Sequence, residues 1–250
     1  MMNILKSNAI LRIVSISLFF LIWQLSSYFL NVELLPSPRN VIIKIFEEAS
    51  NNELFFHTII TLKRVFISFT IAMFIGTFFG IYMGRNKTAD TCLDDWLVLG
   101  LNIPALVIII LCYVWFGLNE IAAILAVSLN KIPMVTVIMR EGARAIEKDY
   151  VEVAKFYNIP KKRFFMKVIL PQLYPYLLSS ARSGLSLIWK IVLVVELLGR
   201  SNGVGFKLYG FFQFFDISGI LAYTFTFVLL IIFVEFILLR PFEKKINIWK

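Results

Sequence analysis

Six apolar stretches of about twenty residues alternate with polar segments along the chain. A helix needs about 20 mostly apolar residues to cross the hydrocarbon core of a bilayer. Helices are expected because backbone polar groups in lipid must find their hydrogen-bond partners within the segment itself. The pattern therefore predicts an all-α integral membrane protein with about six transmembrane helices. The predicted spans are residues 10–31, 59–84, 96–117, 119–140, 176–199 and 217–240.

The segments between these spans differ in character. Residues 32–57 start with a turn that contains Pro and Ser and continue as an amphipathic stretch, which predicts a short helix at the membrane interface. Residues 85–95, RNKTADTCLDD, predict a short polar loop. Residues 141–175 form a long basic insert, and residues 200–216 are rich in Gly and Phe.

The composition agrees with a membrane protein. Of the 250 residues, 59% are hydrophobic and 16% are charged, whereas soluble domains average about 45–50% and about 25%. The net charge of +9 would suggest nucleic-acid binding in a soluble protein. Here the cations lie mainly between the apolar spans, so no nucleic-acid partner is expected. We interpret residues 1–250 as one transmembrane domain, with a first span that lacks a signal-cleavage pattern and is retained.

The distribution of Lys and Arg predicts the orientation, because cytoplasmic loops carry an excess of these residues. With the N-terminus in the cytoplasm, sixteen cations fall inside and six outside, so both termini are predicted to be cytoplasmic. The inside set is Lys6, Arg12, Arg85, Lys87, Arg140, Arg144, Lys148, Lys155, Lys161, Lys162, Arg163, Lys167, Arg240, Lys244, Lys245 and Lys250. The outside set is Arg39, Lys44, Lys63, Arg64, Arg200 and Lys207.

The part of the insert that reads VEVAKFYNIPKKRFFMKVILPQLYP, residues 151–175, predicts two short helices. Asp149 can cap the first helix, and Asn158 suits a left-handed residue just after its end. Pro160 is favourable in the first turn of the second helix, and Pro171 is expected to stop or kink it. From these residues alone, the insert is either a helix-turn-helix elbow on the cytoplasmic face or a basic juxtamembrane loop that touches anionic lipid head groups.

Ionisable residues inside transmembrane spans are candidates for a functional role. Those in this chain are Lys131, Arg182, Lys190, Glu196 and Glu235. Lys131 and Lys190 would suit an anionic substrate if they face a cavity. Arg182 can instead reach the membrane surface with its long side chain, and Glu235 can pair with a nearby cation.

The residues that most often build catalytic or metal sites are scarce. The single histidine, His57, and two cysteines without paired spacing, Cys92 and Cys112, predict neither a metal site nor a disulfide. The chain lacks the G-x-x-x-x-G-K-[ST] phosphate loop, so an ATPase would have to be a separate chain. No convincing internal repeat supports a secondary transporter or channel. A membrane-embedded enzyme would need clustered His, Cys or acids, so no catalytic residues are assigned.

The spacing of the insert resembles the EAA loop of the permease subunits of ABC importers. Glu152-Val153-Ala154 takes the place of Glu-Ala-Ala, Asn158 that of a glycine, and Leu170-Pro171 that of a Leu-Pro pair. Val153 and Asn158 depart from the family's pattern, and Asn keeps the preference for a left-handed turn. Three further segments resemble the nitrate/sulfonate/taurine branch, and with them the resemblance covers nearly the whole chain beyond about residue 30. They are LLPSPRNV at 34–41, HTIITLKRVFISFTIAMFIGTFFGIYMG at 57–84 and WKIVLVVELLGRSNGVGF at 189–206.

The resemblance implies a permease subunit of a type I ABC importer in the bacterial inner membrane, with a five-helix core at about 57–240 and a coupling loop at 141–175. Such a subunit pairs with a second permease, here a second copy, and receives substrate from an extracytoplasmic binding protein. Its EAA loop docks on cytoplasmic ATPase subunits, two per transporter, which bind the ATP, so no cofactor is expected in this chain. The implied coupling residues are Glu152, Val153, Ala154, Phe156, Tyr157, Asn158, Pro160, Leu170 and Pro171.

The resemblance also suggests a substrate and a pathway. The substrate is expected to be a small anion such as a sulfonate, taurine or nitrate. The alternatives are a vitamin precursor or pyrimidine carried by the same class of importer, or a secondary transporter. Gly203-Val204-Gly205 is expected on the outer side, either as a re-entrant loop that meets the binding protein or as a plain turn. Ala154, Phe156, Tyr157 and Phe164 are expected to fill a pocket of the ATPase. The pathway candidates are Lys131, Trp189, Lys190 and Glu196.

Overall fold

The computed structural model describes residues 2–30 and 34–239, which form α-helices and two short π-helical segments joined by turns. The π-helical segments are Phe165–Ile169 and Glu235–Leu239. The α-helices are α1 Met2–Leu30, α2 Pro38–Ser50, α3 Glu53–Arg85, α4 Lys87–Asn102, α5 Ala105–Phe116, α6 Glu120–Arg144, α7 Lys148–Phe156, α8 Lys161–Phe164, α9 Leu170–Gly199, α10 Val204–Gln213 and α11 Ile217–Val234.

Three helices within the described ranges are long and apolar enough to cross a membrane, namely α3, α6 and the helical run Ile217–Ile237. Helices α4 and α5 together form a fourth, bent candidate. Part of the prediction lies outside the described residues: positions 31 and 240 of the first and sixth spans, and four cations of the charge count. Those cations are Arg240, Lys244, Lys245 and Lys250.

Helices α3 and α6 run in the same direction and form the most extensive helix pairing among the described residues. Glycines at every fourth position of α3 face α6, as is typical of helix pairs in membranes, because small residues let the two backbones approach. A Cβ on Gly80 would lie 2.5 Å from the Cβ of Met139 and 2.7 Å from the carbonyl oxygen of Thr136. The facing pairs are Gly76 with Val135, Gly80 with Met139, and Gly84 with Ala143.

Helix α9 runs antiparallel to α3. Ser180, in the first half of α9, lies against Met73, and Glu196, close to its C-terminus, lies against Thr61. Helix α11 in turn runs antiparallel to α9, since Phe227 of α11 lies against Trp189, and Glu235, just after α11, lies against Arg182. The helices thus run back and forth between two ends of the molecule, as a bundle of membrane-spanning helices requires.

We name these two ends by the segments found there. The Gly-loop end contains residues 200–203 together with the N-termini of α3, α6 and α11. The elbow end contains residues 145–169 together with the C-termini of α3 and α6. One buried apolar cluster surrounds Trp189 and Val192, and a second lies around Met139 and Ile169 towards the elbow end.

The sequence predicts one continuous span over residues 96–117, and this is wrong. Helix α4 ends at Asn102, and α5 begins at Ala105 with its axis turned by 96°. Pro104 explains the break, because the residue before a proline is disfavoured in the helical conformation. Ile103 accordingly has an extended ψ of 123°.

The predicted polar loop at 85–95 is also mostly helical. Helix α4 begins at Lys87, since the side-chain oxygen of Asn86 accepts hydrogen bonds from the N–H groups of Thr88 and Ala89. These N–H groups would otherwise lack partners at the start of a helix. The polar residues of this segment therefore lie on the first turns of a helix.

The amphipathic helix expected within residues 32–57 is present as α2. Ser37 caps it, Val41 is buried against the rest of the chain, and Phe46 is exposed on the opposite side. The preceding turn is attached to α1 through Trp23, whose indole N–H donates to the carbonyl oxygen of Pro36 at 3.0 Å. The Trp23 ring also stacks on Phe225 of α11, with 5.6 Å between centroids.

The turn after α7 has the predicted conformation. Asn158 has a φ of 49°, in the left-handed region. The N–H of Ile159 donates to the carbonyl of Ala154, and the N–H of Asn158 donates to that of Lys155, each at 3.0 Å. These two bonds together form a Schellman motif, which satisfies carbonyls left free at the helix end.

The predicted cap of the insert is wrong, and of the two outcomes expected for Pro171, a stop or a kink, the stop does not occur. Asp149 lies inside the first turn of α7, and the capping position belongs to Glu147. Pro171 does not stop the second helix, because the chain is helical from Lys161 to Gly199. The π-helical segment Phe165–Ile169 comes just before Pro171, and such widened turns are a known way to accommodate a local disruption of the helix. The elbow is therefore continuous with the predicted fifth span.

Candidate functional site

A fully buried carboxylate lies near the C-terminus of α9. Glu196 has 0% exposure. It accepts hydrogen bonds from Arg64 Nη1 at 2.8 Å, from the Thr61 hydroxyl at 2.9 Å and from the N–H of Gly205 at 2.9 Å. A charged group is tolerated inside a protein when it is paired and hydrogen-bonded in this way. The structure thus places this pathway candidate at the centre of a polar network within the chain.

Arg64 extends the network to α6. Its side chain is 2% exposed, and it forms a two-pronged pair with Glu120, from Nε at 2.9 Å and from Nη2 at 2.8 Å. Arg200 also approaches Glu120, at 3.1 Å. Two guanidinium groups and the carboxylates of Glu120 and Glu196 therefore balance each other in charge. Paired arginine–carboxylate bonds are strong and directional, so they fix α3, α6 and α9 together at the Gly-loop end.

The segment Gly203-Val204-Gly205 is bound to this network through its backbone. The N–H of Gly203 donates to His57 Nδ1 at 2.9 Å, and the N–H of Val204 donates to Thr61 Oγ1 at 2.8 Å. Gly203 has a φ of 110°, and a Cβ there would lie 2.3 Å from the carboxyl carbon of Glu196. All three residues are buried, so this segment is more than the plain turn considered from sequence. Contact with a binding protein stays a prediction.

A second charged cluster attaches α2 at the same end. Glu48 is mostly buried and accepts a hydrogen bond from the Tyr223 hydroxyl at 3.0 Å, and Lys207 approaches it at 3.1 Å. Burial lowers the pKa of Lys44, but a hydrogen bond to Glu47 and nearby carboxylates outweigh it, so the net pKa is raised. Lys44 lies 3.7 Å from Glu48 and 3.8 Å from Asp216, so both lysines of this cluster are cations paired with nearby acids.

The two lysines proposed for the pathway lie apart from this network. Lys131 is 3% exposed on α6, and its ammonium contacts Met134 Sδ at 3.1 Å. Lys190 is exposed on α9. Neither lysine forms an ion pair with another residue of the described ranges. Burying an ammonium group without a carboxylate is costly, so Lys131 is the more unusual of the two.

Trp189 lies beside a cavity that is lined by both polar and apolar side chains. The cavity measures about 310 Å³ and lies between α9 and the C-terminal part of α11. Arg182 and Glu235 face each other across it, with 3.1 Å between Nη2 and Oε1, which gives Glu235 the cationic partner expected from sequence. Serines spaced at one-turn intervals along α9 complete a polar stripe on an otherwise apolar helix. They are Ser179, Ser183 and Ser186.

The elbow presents aromatic side chains at its tip. Phe156 is 81% exposed, Tyr157 is similarly exposed, and their rings meet edge to face at 5.4 Å. Ala154 is only 3% exposed, so the expectation that it fills a partner's pocket is wrong. Phe164 is also partly buried, since it packs on the chain's own apolar cluster around Met139. The exposed surface of the elbow is therefore aromatic at its tip and supported from within.

Further residues of the coupling segment fall into two groups. Glu152 and Val153 are exposed beside the aromatic tip, whereas Leu170 is half-buried and Pro171 exposed on the helix that leads into the bundle. The N–H of Glu147 donates to the side chain of Gln172 at 3.0 Å, which ties the start of α7 to the start of α9. The elbow is thus connected to the bundle at both of its ends.

Residues 51–247 match the family described as "Binding-protein-dependent transport system inner membrane component". The chain belongs to this family. It is accordingly a permease subunit of an ABC importer and a multi-pass protein of the inner membrane.

Individual relatives agree with this assignment. The chain is 29% identical over 203 residues to the putative aliphatic sulfonates transport permease protein SsuC of Bacillus subtilis, covering 80% of this chain and 74% of the relative. It is 29% identical over 211 residues to the bicarbonate transport system permease protein CmpB of Synechococcus elongatus, covering 78% and 74%. The permease therefore falls in the branch that sequence motifs indicated.

Solved structures share its fold. The inward-facing MetNI methionine ABC transporter matches with a TM-score of 0.63 at 17% identity, over 76% of this chain and 93% of that chain. An amino acid ABC transporter crystallised with histidines matches with a TM-score of 0.60 at 19% identity, over 82% and 96%. At this identity the likeness concerns the helical architecture of the permease alone.

Sequence reasoning missed most of the residues that surround Glu196 in this permease. Arg64 follows Lys63 and was counted with the external surface cations, although it is buried. Glu120 and Thr61 carry no signal in the sequence, and His57 is considered there only as a metal ligand, a role that the sequence does not predict. The one available clue is the segment 189–206, which holds both a span glutamate and Gly-Val-Gly. It pointed to Glu196 but gave no partner.

Proposed function

We propose that this permease forms the transmembrane pathway of an ATP-driven importer for a small anion and couples to separate ATPase subunits through its elbow. It would cross the membrane six times with both termini in the cytoplasm, pair with a second copy, and receive substrate from an extracytoplasmic binding protein. The observation that carries the proposal is the family match over residues 51–247. The exposed aromatic tip of the elbow, in a segment rich in Lys and Arg, supports the proposal.

The elbow has the properties of a force-transmitting contact. Its tip offers Phe156 and Tyr157 to a partner, while Ala154 and the bond from Glu147 to Gln172 hold it on the bundle. Exposed aromatic residues are enriched at protein interfaces and often contribute most of the binding energy. A partner that moves the tip would therefore move α9, because the chain is helical from Lys161 onward.

The coupling proposal is tested with the double variant Glu152→Ala, Phe156→Ala in the assembled transporter. We expect substrate-stimulated ATP hydrolysis to fall at least tenfold, since losing an interface anchor costs about 2 kcal/mol or more. Phe74→Ala is the matched control, because it removes a ring that is 77% exposed on α3. Unchanged stimulation in the double variant, with normal assembly, would refute the coupling role.

An anionic substrate is favoured by the names of the relatives and by two span lysines. The relatives are named for aliphatic sulfonates and for bicarbonate. Lys190 is exposed on α9, on the helix that also carries the polar stripe of serines. An exposed cation in a mostly apolar helix is a natural contact for a passing anion.

The substrate proposal is tested by separate uptake assays with labelled sulfonate, bicarbonate, nitrate and a neutral pyrimidine. Lys190→Gln is expected to lower uptake of the anion at least several-fold, whereas Arg39→Gln, at an exposed position of α2, is the charge-matched control. Uptake of a neutral pyrimidine with no anion transported would favour the alternative of a vitamin precursor or pyrimidine importer. Uptake that continues without any ATPase subunit would instead favour a secondary transporter.

A further inference from the structure

A second cavity lies at the elbow end, between the C-terminus of α3, the start of α4 and the last turn of α6. It measures about 500 Å³, and we call it the α3–α4 pocket. None of its lining residues belongs to the elbow segment 145–169 or to the network around Glu196. The pocket is therefore a site distinct from both. The lining residues with a role here are Met83, Arg85, Lys87, Asp90, Thr91 and Arg144.

The wall of the α3–α4 pocket is positively charged. Among the lining residues the cations Arg85, Lys87 and Arg144 outnumber one acid, Asp90, although Arg144 is also paired with Glu141 at 2.8 Å. Both carboxylate oxygens of Asp90 are already engaged, one with Arg140 at 3.3 Å and the other with Arg144. Arg85 and Lys87 are exposed and form no ion pair with another residue of the described ranges. These two cations are thus available to an anion.

An apolar track leads away from the pocket along α3. Phe78 and Tyr82 are both at least half exposed, and their rings stack with an interplanar angle of 6° and 6.5 Å between centroids. Residues three and four apart share one face of a helix, so positions 78, 82 and 85 lie in line. The cations Arg85 and Lys87 of the pocket are therefore followed directly by an exposed aromatic surface on a membrane-spanning helix.

The α3–α4 pocket lies at the depth of the lipid head groups in the membrane. Helix α3 is long enough to cross the bilayer and ends at Arg85, so this end reaches the level of the lipid head groups. Basic pockets between transmembrane helices at that level are suited to anionic head groups. The N-terminus of the sixteen-residue helix α4 adds a favourable dipole for a negative charge.

We propose that the α3–α4 pocket binds the phosphate of an anionic phospholipid such as phosphatidylglycerol. Arg85 and Lys87 hold the phosphate, Arg144 stays paired with Asp90 and Glu141 at the far wall, and an acyl chain lies along Phe78 and Tyr82. The proposal requires only that α3 spans the membrane. It holds whichever substrate the importer carries and whichever way the chain is oriented.

The test measures lipid binding to the purified full-length protein in detergent. The probes are dioleoyl-phosphatidylglycerol, the zwitterionic dioleoyl-phosphatidylcholine and soluble glycerol 3-phosphate, followed by native mass spectrometry and by thermal stabilisation. The double variant Arg85→Gln, Lys87→Gln should bind phosphatidylglycerol about 30-fold more weakly, since each cation contributes about 1 kcal/mol near an anionic surface. The control Lys161→Gln, Lys162→Gln removes the same charge from exposed elbow positions and should bind normally.

Several outcomes would overturn the proposal. Equal weakening in both double variants would mean diffuse attraction by surface charge, and equal binding of phosphatidylcholine would mean that the phosphate charge is not recognised. Glycerol 3-phosphate binding as tightly as the lipid would assign the pocket to a soluble phosphate compound.

The double variant Phe78→Ala, Tyr82→Ala should weaken the binding of phosphatidylglycerol several-fold and leave the binding of glycerol 3-phosphate unaffected. Melting of the lipid-free variants at the wild-type temperature confirms that they are folded.

Discussion

Replacing Glu196 by glutamine tests whether the buried network stabilises the fold. The change keeps the size of the side chain and removes its charge. Hydrogen bonds from Arg64, Thr61 and Gly205 converge on two carboxylate oxygens. Glutamine retains one oxygen and presents an NH₂ group where the other stood. One buried donor, on Arg64 or Gly205, is then left facing another donor.

The cost follows from these contacts. An unsatisfied buried donor costs about 1–3 kcal/mol, and removing one member of a buried ion pair costs about 3–5 kcal/mol. Arg64 keeps its two bonds to Glu120, so we expect the lower part of the second range, about 3 kcal/mol. For a chain of this size that corresponds to a melting temperature about 6–12 °C lower.

The assay is thermal unfolding of the purified permease in one detergent, followed by circular dichroism and by the appearance of aggregated protein. Glu152→Gln makes the same chemical change at an exposed position and should alter stability by less than about 0.5 kcal/mol. If Glu196→Gln melts within about 2 °C of this control, the network does not stabilise the fold and the reasoning fails.

Three further predictions concern other parts of the fold and are checked by the same thermal unfolding, with limited proteolysis added for the elbow. Gly80→Ala should lower the free energy of unfolding by about 1–3 kcal/mol, because the new Cβ would meet the backbone of α6. The control Gly210→Ala, whose Cβ would meet nothing within 4 Å, should be neutral or slightly stabilising. Equal melting temperatures of the two variants would contradict this. Asn158→Gly should retain stability, whereas Asn158→Val should lose about 1–2 kcal/mol, since φ is positive at this position. Limited proteolysis of the elbow checks the local effect. A Val variant that resists the protease as well as the wild type would contradict this prediction. Tyr223→Phe should cost about 1 kcal/mol by removing the hydroxyl donor to Glu48, and an unchanged melting temperature would show that this bond contributes nothing net.

The sequence predicted features that depend on local pattern. Continuous apolar composition located α3 and α6, and amphipathic spacing located α2. The turn at Asn158 was also predictable, because the left-handed conformation restricts which residue can follow a helix. Each of these follows from residues that are close together in the chain.

Features that depend on distant residues were missed. The partner of Arg64 in α9 lies 132 residues away, and a cation next to Lys63 resembles a surface charge. The bend between α4 and α5 was hidden because hydropathy continues unchanged across Pro104. Helix α10 was likewise not predicted, since its glycines and aromatic residues suggested a loop. In the structure, the N–H groups near its start are bound by side chains of α3 and α9.

The network at the Gly-loop end has a mechanical consequence. Glu196, Arg64 and Glu120 join α9, α3 and α6, and the segment 203–205 is bound to the same groups. Separating these helices there would break several buried polar bonds at once. At the elbow end the ion pairs join α4 to α6, whereas α9 meets α6 there mainly through the apolar cluster around Met139 and Ile169. If the elbow is moved by a partner, the helices should swing as levers about a fulcrum at the Gly-loop end. The largest displacement would then occur where the elbow is attached, and the smallest around Glu196.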